Sequence, residues 1–428
     1  MSQIKILPGK LKGEIAVPPS KSLAHRAIIA AGLAKGTSRI DHIEYSQDIK
    51  ATIKAMEALG TVIEQYDDHL IIHGESTFSK NNMMPGIEID CEESGSTLRF
   101  MVPVSLVKEN KVRFIGRGNL GKRPLDTFYE IFERQNIGYL YRENILDLNV
   151  LGSLKPDFYR IPGNISSQFI TGLLFALPLL PGDSIIELTS PLESRGYVDL
   201  TLYILKLYGI DILNHEYRQF VIRGRQQYKP CNYRVEADFS QAAFFLVAGA
   251  LGHDVVVQDL NLDSLQGDKA VLDYLTQMNC QIKTSEAGIQ VVGHGLQATT
   301  IDASQCPDVI PVLSLALALA KGDGKVIQAK RLRIKECDRL SATVKELNAL
   351  QAQVIEHADS MDFHGVSSLS GGQVSSHNDH RMAMMLAIAA TVAKEPVIID
   401  NKECVKKSYP GFFDDFVSLG GKIDGSDL

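Results

Sequence analysis

In this chain of 428 residues the side chains best equipped for chemistry are cations and hydroxyls gathered where helices begin. The stretch "PPSKSLAHR" sets Ser20, Lys21 and Ser22 ahead of an apolar run and Arg26 one turn further on. A helix N-terminus offers unpaired N–H groups and a partial positive charge, so flanking cations there suit an anionic ligand. Taken singly, such a stretch is explained as well by a serine cap with solvated cations. The pattern returns, however, at Ser94-Gly95-Ser96, Ser166-Ser167-Gln168, Asp238-Phe239-Ser240-Gln241, Pro307-Asp308 and Asn378-Asp379-His380-Arg381. A second set of turns carries Arg123, then Ser194-Arg195-Gly196-Tyr197, then Arg333 to Arg339 with Lys335 and Glu336, then Lys406-Lys407-Ser408. If these turns are equivalent, Lys21, Arg26, Arg123, Lys335, Arg339, Arg381 and Lys407 line one space that attracts more than one anionic group.

Equivalence requires a repeat, and the periodicity supplies one. Short strands at "GEIAVP", "GIEID", "FYRIPG", "NYRVEA", "ATTIDA" and "GGQVSS" each lead into an apolar helix starting near Ser22, Ser96, Ser167, Ser240, Asp308 and Asp379. Those starts recur roughly every 70 residues. Each helix runs into a second strand, an amphipathic helix and a third strand. "HLIIHG", "LDLNVLG", "QFVIRG" and "GIQVVG" supply a closing hairpin strand in the first four copies. The unit reads βαβαββ, and six of them give an α/β fold. Helix bodies such as "FITGLLFALPLL" and "MAMMLAIAATVA" belong to the core, which leaves the turns for function.

Composition narrows the ligand class. A 45% hydrophobic fraction supports a large core. Even the apolar run "PVLSLALALAKG" meets Lys321 too soon to span a bilayer, and "MSQIKILPGK" lacks a secretory core, so a soluble cytoplasmic chain is expected. The six cysteines, Cys91, Cys231, Cys280, Cys306, Cys337 and Cys404, have no paired or metal-ligand spacing and read as free thiols; no metal is expected. A formal charge of −7 argues against nucleic acid or an anionic membrane as partner, so small anions must be held by local cations.

At this point the motifs resemble a known family, the enolpyruvyl transferases. The resemblance runs in order through "PPSKSLAHRAIIAAGLAKG", "SGSTLR", "GKRPLD", "NISSQFITGLL", "VEADFSQAAFFL", "RIKECDRL", "NDHRMAM" and "KKSYPGF", nearly the whole chain. It implies a two-domain enolpyruvyl transferase fold, with three βαβαββ repeats per domain around pseudo-threefold axes. The first domain would be discontinuous, 1–18 plus 238–428, the second would span 19–237, and the active site would lie in the interdomain cleft. It also implies the branch that moves the enolpyruvyl group of phosphoenolpyruvate to the 5-hydroxyl of shikimate 3-phosphate through a tetrahedral intermediate. No cofactor is implied, a monomer is expected, and the resemblance to that branch implies inhibition by the phosphonate glyphosate.

By motif match, shikimate 3-phosphate would be held by Lys21, Ser22, Arg26, Ser166, Ser167, Gln168, Ser194, Tyr197, Asp308 and Lys335. Phosphoenolpyruvate would contact Lys21, Gly95, Arg123, Gln168, Arg339, His380, Arg381 and Lys407. Lys21, Asp308 and Glu336 would be catalytic, Asp308 as base at the 5-hydroxyl and Glu336 as proton donor to the methylene carbon. Read alone, Asp308 is also a helix N-cap and Glu336 an i, i+3 helix partner of Arg339. Glu93, Ser96, Phe100 and Arg331 depart from the common family pattern. The sister branch acting on UDP-N-acetylglucosamine is the alternative, but it usually carries a reactive Cys where this chain has Gly118 in "GRGNLGKRP". A non-catalytic anion-binding protein on this scaffold would have lost acid and base residues, whereas Asp308, Glu336 and Lys21 are present.

Overall fold

The computed structural model describes residues 2–78, 86–142 and 144–424. The chain divides into two compact units, Pro19–Val235 and Met1–Pro18 with Glu236–Leu428. Three four-stranded sheets belong to each, and all six share one plan. In the second repeat Ile87–Asp90 runs parallel to Asn110–Ile115, which pairs antiparallel with Ile145–Gly152, itself the hairpin partner of Gly138–Arg142. The strand order within a sheet is therefore first, second, fourth, third. Parallel neighbours need a long crossover, which a helix supplies, while the last two strands close by a short hairpin.

Two strands are corrected relative to the sequence reading. Lys12–Ala16, expected to open the first repeat, pairs in parallel with Asp254–Gln258 of the fourth. Tyr233–Arg234, expected to open the fourth, pairs instead with Thr37–Asp41 of the first. Both lie where the chain passes from one unit to the other, and a strand's own alternation does not say which neighbour it joins. Two closing strands also went unforeseen. Met361–His364 completes the fifth sheet, and Gln3–Leu7 joins Val397–Asp400 and Lys422–Ile423 in the sixth.

The six leading helices are Lys21–Leu33, Gly95–Ser105, Ser167–Ala176, Phe239–Ala250, Ile310–Ala318 and His380–Val392. They are buried almost throughout, and the last three pack on one another. A helix enclosed on all sides is apolar all round. Charged groups are confined to its N-terminal turns, so the chemistry collects there. Among the described residues no helix is long and apolar enough to cross a membrane.

Candidate active site

In the Pro19–Val235 unit, Ser20 caps the first leading helix by accepting the Leu23 N–H at 3.4 Å. Lys21 follows, and its Nζ donates to Asp48 Oδ2 at 2.7 Å. Arg26 is buried, with Nε donating to Thr201 Oγ1 (2.9 Å), Nη1 to the Ser22 carbonyl (2.6 Å) and Nη2 to the Tyr197 carbonyl (2.9 Å). Its guanidinium also lies over the Phe100 ring, 5.2 Å from the centroid. Burial pulls its pKa down to about 9, which leaves it protonated at neutral pH. Arg26 thus roots Ser22 and Tyr197, while a 2.9 Å bond between Thr201 and Thr171 adds the Ser167–Ala176 helix. The helix starts bearing Ser22, Ser167 and Ser194 are tied together this way. Ser194 is fully buried and left-handed (φ 54°), a conformation uncommon outside glycine.

A second cluster surrounds Gly95. Ser94 caps the Gly95–Ser105 helix, and its Oγ begins a chain through Thr97 (2.8 Å) and Thr52 (2.7 Å) to His25 Nδ1 (2.7 Å). Thr52 lies on the Gln47–Ala58 helix, which also carries Asp48, so one helix fixes both Lys21 and the Gly95 turn. A Cβ at position 95 would stand 2.5 Å from Arg123 Nη1, 3.3 Å from Arg99 Nη1 and 3.6 Å from Gln168 Oε1. Gln168 links two helix starts, accepting from Arg99 Nη1 at 2.8 Å and donating to Ser96 Oγ at 3.0 Å. Arg99 also donates to the Pro124 carbonyl at 3.1 Å, which holds the turn after Arg123. The sequence reading did not single out Arg99, although its position four residues after Gly95 puts both on one helix face.

In the other unit Asp308 precedes the Ile310–Ala318 helix and does not cap it. Its Oδ1 accepts from Lys335 Nζ at 3.1 Å and Arg339 Nη1 at 2.9 Å, and Arg381 Nη2 stands 3.7 Å from Oδ2. Burial alone would push this carboxyl up, but Lys335, Arg381 and Arg339 hold it well below the usual range. Burial lowers the Lys335 pKa, partly offset by Asp308. Arg339 is 1% exposed and holds three carboxylates. Besides Asp308 it takes Glu336 Oε2 at 2.6 Å and both oxygens of Asp379, at 2.7 and 3.3 Å. The helix begins at Arg339, so Glu336 lies outside it and the pair is not intrahelical.

The remaining cations converge on the same turn. Asp379 caps the His380–Val392 helix through the Arg381 N–H at 2.8 Å, and Arg381 Nη1 donates to the Ser240 carbonyl at 2.8 Å. Lys407, buried, donates to the Asn378 carbonyl at 2.6 Å. His380 is buried, its Nδ1 3.8 Å from Asp379 Oδ1. Cys337 Sγ lies 3.5 Å from Asp379 Oδ2, and burial followed by the Asp379 charge pushes its thiol up, away from nucleophilic reactivity. Among the described residues no three His, Cys, Asp or Glu side chains gather as a metal would require.

Behind Arg381, Ser240 Oγ donates to Asp268 Oδ2 at 2.7 Å. Burial, and then the Asp308 charge, push the Asp268 carboxyl up to about 6. A folded pKa raised above its unfolded value favours the fold at low pH, and that advantage is lost as pH rises through the folded value. Asp268→Asn, which keeps an acceptor for Ser240, is therefore expected to gain stability over the parent between pH 4 and 7. The gain is about 2 kcal/mol, read from urea unfolding at the two pH values. A gap between variant and parent that did not change with pH would contradict it.

Comparison with known proteins places these turns in context. The sequence matches the family model described as "EPSP synthase (3-phosphoshikimate 1-carboxyvinyltransferase)" over residues 7–416. It is 55% identical over 426 residues to a 3-phosphoshikimate 1-carboxyvinyltransferase of Clostridium botulinum, covering 99% of this chain and 98% of that protein. It is 54% identical over 431 residues to one of Clostridioides difficile, covering 99% of each. Among solved structures, EPSP synthase from Acinetobacter baumannii superposes with a TM-score of 0.80 at 24% identity over 99% of both chains. The enolpyruvyl transferase NikO from Streptomyces tendae gives 0.80 at 16% identity, covering 99% of this chain and 98% of that one. These two share the fold, six repeats of mixed strands and helices.

Proposed function

The chain belongs to the EPSP synthase family, and from that premise we propose how its charged side chains divide the work. The reaction moves the enolpyruvyl group of phosphoenolpyruvate to the 5-hydroxyl of shikimate 3-phosphate and releases phosphate. Shikimate 3-phosphate takes its phosphate contacts from Ser166, Ser167 and Ser194, with Ser22 and Gln168 toward its ring and carboxylate. Arg26 donates three of its five N–H groups to the protein, holding Ser22 and Tyr197 in place, and the remaining two serve the carboxylate side of the same substrate. Phosphoenolpyruvate takes Arg123, Arg339, Arg381 and Lys407, with Lys21 at the phosphate that leaves.

In the addition step the 5-oxygen bonds to C2, its proton passes to Asp308, and C3 gains a proton from Glu336, which takes that proton up from solvent once phosphoenolpyruvate has replaced it on Arg339. Elimination then breaks the bond from C2 to the phosphate oxygen, returns the C3 proton to Glu336 and restores the double bond, the phosphate leaving with the proton that Asp308 had taken. The observation that carries this reading is the joint hold of Lys335 and Arg339 on Asp308 Oδ1. A carboxylate so held is ionised at neutral pH but a weak base. The anionic groups of phosphoenolpyruvate at Arg339 and Arg381 offset those cations, so substrate binding raises the basicity of Asp308 for the step that uses it. The assay is phosphate release from phosphoenolpyruvate with shikimate 3-phosphate and, separately, with UDP-N-acetylglucosamine. Turnover with the sugar nucleotide alone would overturn the reading.

Gly95 tests the phosphoenolpyruvate contacts. In Gly95→Ala the new methyl meets the Arg123 guanidinium first, the end of a flexible side chain that can give way. The stability cost is expected to stay at about 1 kcal/mol or less. Glyphosate is longer than phosphoenolpyruvate, so its inhibition constant should rise by more than the phosphoenolpyruvate KM. Steady-state inhibition of parent and variant checks this. An unchanged ratio with a lowered melting temperature would confine Gly95 to easing the turn.

A further inference from the structure

We propose that Glu346 and His377 are positioning residues, clamping the loop 375–379 in a left-handed turn that fixes Arg339, Arg381 and Lys407. This rests on the assignment of those three cations to phosphoenolpyruvate. His377 (φ 52°) and Asn378 (φ 56°) are consecutive left-handed residues, neither of them glycine. Asn and His enter that region more readily than most residues, but two in succession persist only where the surroundings impose them.

The surroundings here are specific. Glu346, 3% exposed on the Arg339–Ala349 helix, accepts from His377 Nε2 at 2.7 Å and from the Ser375 N–H at 2.9 Å, one on each carboxylate oxygen. From the other side Asp400 accepts the Ser376 N–H at 2.6 Å and the Ser375 hydroxyl at 2.9 Å. Asn401 donates to the Asn378 side chain at 2.8 Å. The turn so held offers the Asn378 carbonyl to Lys407 and the Asp379 carboxylate to Arg339, and it caps the helix that carries Arg381. Glu346 lies about two turns along the helix that Arg339 begins. Loop and helix are thus pinned to each other twice, once by Arg339 with Asp379 and once by Glu346 with His377. A single hydrogen bond from a half-buried imidazole adds little stability, so the conformation this pair imposes is its better explanation.

The test compares His377→Ala, His377→Gly and Glu346→Gln with the parent, using Lys407→Ala as reference. Steady-state KM is measured for each substrate, and unfolding is followed alongside. Ala loses the pair and keeps the cost of the left-handed turn, whereas Gly adopts positive φ freely. The phosphoenolpyruvate KM is expected to rise about tenfold in His377→Ala and Glu346→Gln but only about threefold in His377→Gly. The shikimate 3-phosphate KM should stay within about twofold throughout. A phosphoenolpyruvate KM unmoved in both His377 variants, with Lys407→Ala raising it, overturns the clamp. Equal rises in Ala and Gly overturn the strained turn as its mechanism. A silent Lys407→Ala instead overturns the assignment of Lys407 to that substrate, and with it the premise. Should Glu346→Gln fold poorly, the half-buried His377 decides the matter alone.

Discussion

Replacing Asp308 by Asn is expected to lower kcat at least about a hundredfold while both substrates still bind. Asn keeps the shape and an acceptor for Lys335 and Arg339 but cannot take the 5-hydroxyl proton. The phosphoenolpyruvate KM should not rise, because the change frees Arg339 and Arg381 from a competing carboxylate. Stability needs separate measurement. Asp308 is held below the usual carboxylate range, so its ion pairs add stability that is present above about pH 4 and lost as pH falls through the depressed value. The Asn variant should therefore be less stable than the parent at pH 7 and less sensitive to acid. Kinetics are best compared well below its melting temperature. A kcat within twofold of the parent would remove Asp308 as the base.

The largest loss of stability is expected from Arg339→Met, about 3–5 kcal/mol by urea unfolding. Met matches the buried stem but leaves Asp379, whose side chain has no exposure, without its two charged N–H donors. Asp308 and Glu336 lose a partner too, but each keeps some exposure and can be rehydrated. The double variant Arg339→Met with Asp379→Asn removes the stranded charge and keeps an acceptor for the Arg381 N–H, so it should recover about half of the loss or more. It should not recover activity, since the cation proposed to hold phosphoenolpyruvate is still missing. A single variant as stable as the parent would mean that Asp379 does not depend on Arg339. Activity in the double variant would exclude Arg339 from the binding set.

The local features of the fold were legible because each follows from a short window. The serine and aspartate caps at Ser20, Ser94, Ser166, Asp238 and Asp379 fall where hydroxyls and carboxylates precede apolar runs. What was missed depends on residues distant in sequence. Lys21 and its partner Asp48 come from different helices, and neither window contains the other. Asp268 feels the charges of Asp308 and Arg381 only because three repeats bring their turns together. Asp308 itself was legible as a candidate, but its state was not, since three cations from two other turns set it.

By itself, then, the sequence determined the six repeats, their helix starts and the set of charged residues gathered there, because period, capping and charge are properties of neighbouring residues. Only the tertiary structure decided which sheet receives Lys12–Ala16 and Tyr233–Arg234, and that Gln3–Leu7 closes the last repeat. Strand pairing is chosen by what each edge meets after the chain has crossed between units, and alternation is the same on either edge. The structure alone also decided that Arg26 ties Ser22, Tyr197 and Thr201 together and that Arg339 gathers three carboxylates. A side chain's role there follows from its burial and its partners, and both are fixed only when distant segments pack.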